Sequence, residues 1–356
     1  MLDLDDPAVA ARHDPDDFLG VVQRFPQQVR EAQAISQAVE GLPSTDGITS
    51  IAVLGMGGSG ISGDVAGAVL ERSPLPLSTL KGYELPHWVG RNTLVFAMSY
   101  SGDTEETLST FREAVDSRGA RPVVVSTGGE LMEIARQGDM TVVEIPSGLQ
   151  PRAALGYLAI PILVICERLG LGPAVGADID EAIGMLEKRA EEYGATTVTP
   201  MNPAKRLARH LFGRIPIVYG GEGLSSVAAY RWKCQFNECS KVPSWSNSFP
   251  ELNHNEVVGW AELGDVTKRS AALIVLRHHG EHPRVAKRID VTLPLISGSV
   301  GIVEQFWAEG SSTLARLFDL IYLGDFVATY LALLQGVDPT PVEAIKTLKS
   351  RLAEAE

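Results

Sequence analysis

The chain has 356 residues, 45% hydrophobic and 21% charged, with a net charge of −13. That is enough for two ordinary domains with sizeable cores, and an acidic balance argues against nucleic acid or an anionic membrane surface as the main partner, since both need a basic face. Cys166, Cys234 and Cys239 are odd in number and widely spaced, which excludes a disulfide framework and points to reduced thiols and a cytoplasmic location.

The first residues, "MLDLDDPAVAARHDPDD", are acidic and lack the apolar core of a signal peptide. Residues 1–45 carry Asp, Pro and a helical pattern and are expected to form an N-terminal arm or helix. Over 46–165 short apolar strands then alternate with helices: "ITSIAVLG", a glycine loop and "ISGDVAGAVLER"; "NTLVFAMS" and "YSGDTEETLSTFREAVDSRG"; "RPVVVST" and "GGELMEIARQG"; "MTVVEIP". The alternation predicts a parallel sheet covered on both faces. "AALGYLAIPILVIC" (153–166) is too short to span a bilayer and contains Pro161, so it is expected as a buried helix. A helical connection over 166–212 leads to a second series over 213–356. There "RIPIVYG" is a strand, "GEGLSSVAAYRWKCQFNE" a loop and helix, "CSKVPSWSNSFP" an irregular segment, "AALIVLRHH" a strand, "AKRIDVTLPL" a stretch ending in another strand, and "TLARLFDLIYLGDFVATYLALLQG" an apolar helix. The expected fold is α/β: two αβα sandwich domains, each with a mainly parallel sheet.

The two halves share a strand followed by G-G-x-G-[IL]-S, with Gly57-Gly58-Ser59-Gly60 set against Gly220-Gly221-Glu222-Gly223. The first loop also satisfies G-x-G-x-x-G, but the acidic residue that would hold a cofactor ribose is missing from "SPLPLSTLKGYE" until Glu84. The next strand-to-helix loop, "MSYSGDTEET", offers the hydroxyls of Ser99, Ser101 and Thr104; Gly102 permits a tight turn, and Asp103 or Thr104 suits the cap of the following helix. With Ser59, these hydroxyls and helix N-termini form a phosphate cradle that needs no lysine. Any one serine alone reads as a plain cap. Glu222, standing where the first half has Ser59, would repel a phosphate, so one phosphate site per chain is expected.

Glu238 closes a helix beside Trp232 and Phe236, where partial desolvation suits a general base. "SFPELNHNEVVGW" (248–260) follows with Glu251, His254 and Glu256; an imidazole such as that of His254 can move a proton in either direction. Its spacing to the two glutamates is a poor metal set, and "RHHGEHPR" (277–284) is expected to be a solvated loop. No G-x-S-x-G hydrolase elbow is present. Arg152, just after Pro151 at a helix start, is either a salt-bridged surface residue or a cation for a developing oxyanion.

In chain order "GMGGSGISGD", "SYSGDTEET", "QPRAALGY", "FNE" and "ELNHNEVVGW" resemble the bifunctional phosphoglucose/phosphomannose isomerases built from two sugar-isomerase (SIS) domains, from about residue 50 onward. The resemblance implies a homodimer with its active site near the subunit interface. It implies interconversion of fructose 6-phosphate with glucose 6-phosphate and mannose 6-phosphate, with no metal or other cofactor. By the same resemblance Gly58, Ser59, Ser99, Ser101 and Thr104 bind the substrate phosphate, Glu238 relays the proton, Arg152 stabilises a cis-enediolate, and His254 reaches in from the partner subunit to assist ring opening. A lysine near the C-terminus also belongs to the site; of Lys346 and Lys349, the "LK" position favours Lys349. The rival is a non-enzymatic sugar-phosphate sensor, which would keep the serine loops but have no use for Arg152, Glu238 and His254 together.

Overall fold

The computed structural model describes residues 2–354. Its strands form two sheets. The first holds β1 (Ser50–Leu54), β2 (Leu77–Leu80), β3 (Thr93–Met98), β4 (Arg121–Ser126) and β5 (Thr141–Glu144) in the order β2-β1-β3-β4-β5, every neighbouring pair parallel. All six residues of β3 are buried, as expected where helices cover both faces and leave no side for polar alternation. The core under this sheet joins Leu54, Val95, Ala97, Phe111, Val124 and Leu131. Burying a phenyl ring such as Phe111 contributes about 1.5–3 kcal/mol. The strand order reverses direction between β1 and β3, the switch point at which open parallel sheets receive ligands beyond their carboxyl ends. Leu54 pairs with Ala97 there, so the loops leaving β1 and β3 start side by side.

The second sheet holds β6 (Ile215–Gly221), β7 (Trp245–Phe249), β8 (Ala271–His278) and β9 (Ile302–Ala308) in the order β7-β6-β8-β9, with β6 parallel to both β7 and β8. Two expectations need correcting here. The segment taken as irregular contains β7, whose W-S-N-S-F sequence buries only Phe249, the signature of an edge strand that presents no apolar face. "AKRIDVTLPL" ends in no strand: it lies within the helix Pro283–Ile296, where Val285, Ile289, Leu293 and Ile296 are the apolar residues buried, one per turn. The helical period over fourteen residues outweighs the strand-like "VTL". The strand is β9, six residues further on, hidden from a pattern reading because most of its residues are only half-buried.

The chain divides into two compact units, both discontinuous. The five-stranded unit comprises Arg24–Lys188 and Ala308–Asp319. The four-stranded unit comprises the stretch ending at Gln23, Arg189–Trp307 and the residues from Leu320 onward. The segment 1–45 is therefore shared. Its helix Phe25–Ala38 packs on the helix Leu155–Arg168 of the five-stranded unit, closely enough that a Cβ on Gly156 would lie 2.9 Å from Cβ of Gln28. The earlier residues are tied into the four-stranded unit, where the Asp5 carboxylate accepts Lys205 Nζ at 2.9 Å and the Thr199 backbone N–H at 2.9 Å. The connection 166–212 is divided in the same way, between Lys188 and Arg189. The apolar helix Thr313–Gln335 is long and apolar enough to cross a membrane, yet its window is wholly buried within the protein. Its first turns belong to one unit and the remainder to the other.

Candidate active site

In the five-stranded unit the helix Gly57–Val69 begins almost as soon as β1 ends, so the G-G-S-G run is the helix's first turn and not a loop before it. Such a turn leaves N–H groups without intrahelical partners at the positive end of the helix dipole. Gly57 adopts φ +51°. At Gly58 the requirement is space: a Cβ would stand 2.6 Å from the Pro151 carbonyl oxygen and 3.1 Å from the Arg152 nitrogen. The short 3-10 turn Pro151–Ala153 therefore lies directly on the glycine turn, and Arg152, 3% exposed, is buried beside it.

The hydroxyl-bearing loop after β3 is joined to this turn through Ser59. Ser59 Oγ accepts the Tyr100 N–H at 3.3 Å. Ser99 Oγ accepts the Gly102 N–H at 3.0 Å and shares a 2.9 Å hydrogen bond with Thr104 Oγ1. Ser101 is exposed, and its Oγ accepts the Asp103 N–H at 3.3 Å. Gly102 has φ +82°, and a Cβ there would meet the Gly128 carbonyl oxygen at 1.9 Å. The capping expectation is revised. Thr104 occupies the N-cap of the helix Glu105–Arg112, but makes no side-chain cap bond and turns its hydroxyl to Ser99. Asp103 serves the neighbouring helix instead, accepting the Glu130 N–H at 2.9 Å.

Three residues of this region escaped the sequence reading. Tyr100 donates its hydroxyl to the Pro146 carbonyl at 3.0 Å and accepts the Leu149 N–H at 2.9 Å, tying the serine loop to the strand exit that leads to Arg152. Burial pushes its phenol pKa up. Gln28 donates to the Ala153 carbonyl at 2.8 Å, so the helix Phe25–Ala38 supports the Arg152 turn from beneath. Lys81, just after β2, passes over the glycine turn, its Cε 3.0 Å from where a Gly60 Cβ would be, and its Nζ pairs with Asp64. The cradle thus does have a lysine beside it, with its charge engaged by a carboxylate.

In the four-stranded unit Glu238 is the last residue of the helix Leu224–Glu238 and is half-buried. A buried polar knot anchors this helix: Asp325 accepts Arg231 Nε at 3.1 Å, its second nitrogen at 2.9 Å, and Gln235 Nε2 at 2.9 Å. Removing one partner of such a pair costs about 3–5 kcal/mol, because a buried charge is left uncompensated. Trp232 and Phe236 are fully buried, and Trp232 Nε1 donates to the Leu320 carbonyl at 2.7 Å. Lys241, at φ +57°, returns its ammonium to the Glu238 carbonyl. The helix end is thus fixed while the carboxylate keeps partial access to solvent.

His254 ends the 3-10 turn Glu251–His254. Its neighbours are occupied: Leu252 is 1% exposed, Asn253 Nδ2 donates to Thr292 Oγ1 at 2.7 Å, and Asn255 Nδ2 donates to Glu251 Oε1 at 3.0 Å. The imidazole itself is exposed. "RHHGEHPR" is no solvated loop at its start. Arg277, 1% exposed, pairs with Glu281 at 2.8 Å and Asp290 at 3.1 Å, and its guanidinium lies 4.5 Å from the Trp307 ring centroid. Lys346 pairs with Glu343 at 2.9 Å, whereas Lys349 is exposed on the helix Glu343–Ala353. All three cysteines are free, and burial pushes the Cys166 thiol up to about 12.

One expectation about the repeat also fails. The second turn differs in register from the first: β6 runs on through Gly221, and the helix starts only at Leu224 after Gly223 at φ +77°. Counted from the helix start, the third residue is Ser59 in one turn and Ser226 in the other. Glu222 lies ahead of the cap, exposed, with its N–H on the Phe249 carbonyl at 2.8 Å.

A protein family described as the bacterial phospho-glucose isomerase C-terminal SIS domain matches residues 200–352. The chain is 42% identical over 334 residues to a bifunctional phosphoglucose/phosphomannose isomerase of Caldicellulosiruptor bescii, covering 94% of this chain and 98% of that protein. It is 37% identical to one of Aquifex aeolicus, covering 85% and 90%. A glucose-6-phosphate isomerase like protein of Thermus thermophilus shares the fold, with a TM-score of 0.65 at 20% identity over 98% of this chain and 99% of that one. By this likeness along nearly its whole length, the chain belongs to the bifunctional phosphoglucose/phosphomannose isomerase family.

Proposed function

We propose that the protein interconverts fructose 6-phosphate with glucose 6-phosphate and mannose 6-phosphate through a cis-enediolate, and needs no metal ion to do so. The observation that carries this reading is the hydroxyl-lined helix start of the five-stranded unit with the buried Arg152 seated on it. Backbone N–H groups of the Gly58–Ser59 turn and the hydroxyls of Ser59, Ser99, Ser101 and Thr104 receive the phosphate of the substrate. Phosphate binding then holds the sugar for proton transfer at its other end. His254 moves a proton between the ring oxygen and the anomeric hydroxyl to open the ring. Glu238 removes the C2 proton of an aldose and returns it to C1, while a proton passes between O2 and O1. Arg152, always charged, stabilises the enediolate oxygen. Glucose and mannose phosphates differ only in configuration at C2, so one enediolate serves both if Glu238's proton returns to either face. In this reading the active form is a homodimer in which His254 serves the partner's sugar, and Lys349 adds a positive charge to the site.

The test is a coupled assay offering both aldose phosphates to one preparation in the presence of EDTA. Both are expected to be consumed, and Glu238→Gln is expected to lower kcat by about 10²–10⁴-fold while substrate still binds. Wild-type turnover in E238Q would remove Glu238 as the base. Binding of sugar phosphate by the wild-type protein with no turnover would favour the sensor instead.

A further inference from the structure

The "ELNHNE" run ends on Glu256, a carboxylate that the reaction above does not use. It is held by an ordered set of donors. The Tyr219 hydroxyl and the Asn247 side-chain amide both donate to it. These two residues are register partners on β6 and β7. The set extends further on each side. Trp260 Nε1 donates to the Tyr219 hydroxyl at 3.1 Å, and Asn247 Oδ1 accepts the Ser248 N–H at 2.8 Å. Tyr219 is 0% exposed and Trp260 7%. Burial and the adjacent carboxylate push the Tyr219 phenol pKa up, so it remains a donor throughout the neutral range.

We propose that Glu256 is a positioning residue for His254: together with Tyr219 and Asn247 it clamps the histidine-bearing turn to the edge of the four-stranded sheet. The proposal rests on the reading of His254 as the ring opener. Two fixed points flank the imidazole at equal distance in sequence, the core residue Leu252 and the clamped Glu256, so the exposed ring has little backbone freedom. The chemistry of the clamp calls for a carboxylate. The Ser248 N–H pins the Asn247 amide with its NH₂ toward position 256, and the Trp260 N–H pins the Tyr219 oxygen as an acceptor, so the phenol must donate toward 256 as well. Two converging donors require two acceptors on one side chain; a glutamine would set an NH₂ against one of them. The charge also strengthens both bonds.

Exchange NMR of glucose 6-phosphate measures enzyme-catalysed anomerisation, which requires ring opening but no proton abstraction from carbon. Glu256→Gln is expected to slow anomerisation and isomerisation together by about 10–100-fold, as a small misplacement of a catalytic group does. KM is expected to stay within about 2-fold, because no phosphate-binding residue is disturbed. Tyr219→Phe keeps the packing and removes one donor, so it should act in the same direction with a smaller effect; it carries the test if E256Q does not fold. A purely structural role would lower Tm and leave the rates per folded site and their pH profile unchanged. If His254→Asn abolishes anomerisation while E256Q and Y219F retain wild-type rates per folded site, the clamp is refuted and the ring-opening role stands. If H254N retains wild-type anomerisation, the ring-opening role is refuted, and the clamp's purpose with it.

Discussion

Two strand–glycine–helix turns, one per unit, share a sequence pattern and differ in what they present. After β1 the helix begins at once, the glycines form its first turn, and Ser59 Oγ hydrogen-bonds that turn to the hydroxyl-bearing Ser99–Thr104 loop. After β6 the strand runs further, Gly223 makes the turn, and Ser226 closes on the Gly223 carbonyl at 2.8 Å. The neighbouring strand ends diverge equally. β3 leads into hydroxyls, and β8 leads into an Arg277–Glu281 pair whose charges already answer each other. A glycine-rich turn is therefore not an anion site by itself. The proposed site has, in addition, an adjacent loop that supplies donors and a register that puts the glycines in the first turn of the helix.

The contrast can be broken by substitution. The largest effect is expected from Gly58→Ala, whose methyl would meet backbone atoms at 2.6 Å and displace the Arg152 turn; kcat/KM should fall by about 10²-fold. Next comes Ser99→Ala, which removes one donor from the proposed phosphate cradle and unties Thr104. It should raise KM for fructose 6-phosphate about 10-fold with a smaller change in kcat, in line with about 1.5–3 kcal/mol for a hydrogen bond to a charged group. Gly221→Ala, the letter-matched glycine that the structure leaves at the end of the strand, would touch only a Val285 methyl at 3.1 Å; a drop of about 1 kcal/mol in stability with wild-type kinetics is expected. Glu222→Gln should change neither KM nor kcat by more than about 2-fold, because an exposed charge outside the helix contributes little. Steady-state kinetics with thermal melts separate all four. A KM shift in E222Q as large as that in S99A would mean that the second turn also serves substrate.

Much of this was legible in the sequence because backbone constraint and chemistry coincide on the same residues. Gly58 and Gly102 stand where a side chain collides with backbone, Ser99 and Thr104 lie five residues apart and share a hydrogen bond, and Ser59 sits in a glycine pattern of its own at the end of the neighbouring strand. What stayed hidden depends on partners distant in sequence. Tyr100 reads as an ordinary aromatic until its hydroxyl is seen on Pro146 and Leu149. Gln28 gives no signal at all, since its target is the main chain at Ala153. β7 and β9 lack apolar alternation because they are poorly buried strands, and "AKRIDVTLPL", expected to end in a strand, lies within the helix before β9. The pairing of Ser59 with Glu222 failed because letter-matching cannot sense where a strand stops hydrogen bonding and a helix begins.

The tie between Asp5 and Lys205 bears on how the molecule is made. The carboxylate leaves the ribosome some two hundred residues ahead of its ammonium, and the Thr199 N–H that it also accepts emerges only slightly earlier. Asp5 must therefore wait for this partner while most of the five-stranded unit is being produced, and that unit in turn awaits residues 308–319. Closure of both bodies is thus deferred until the residues past 307 have been made, and no single cut through the coding sequence would release either one whole.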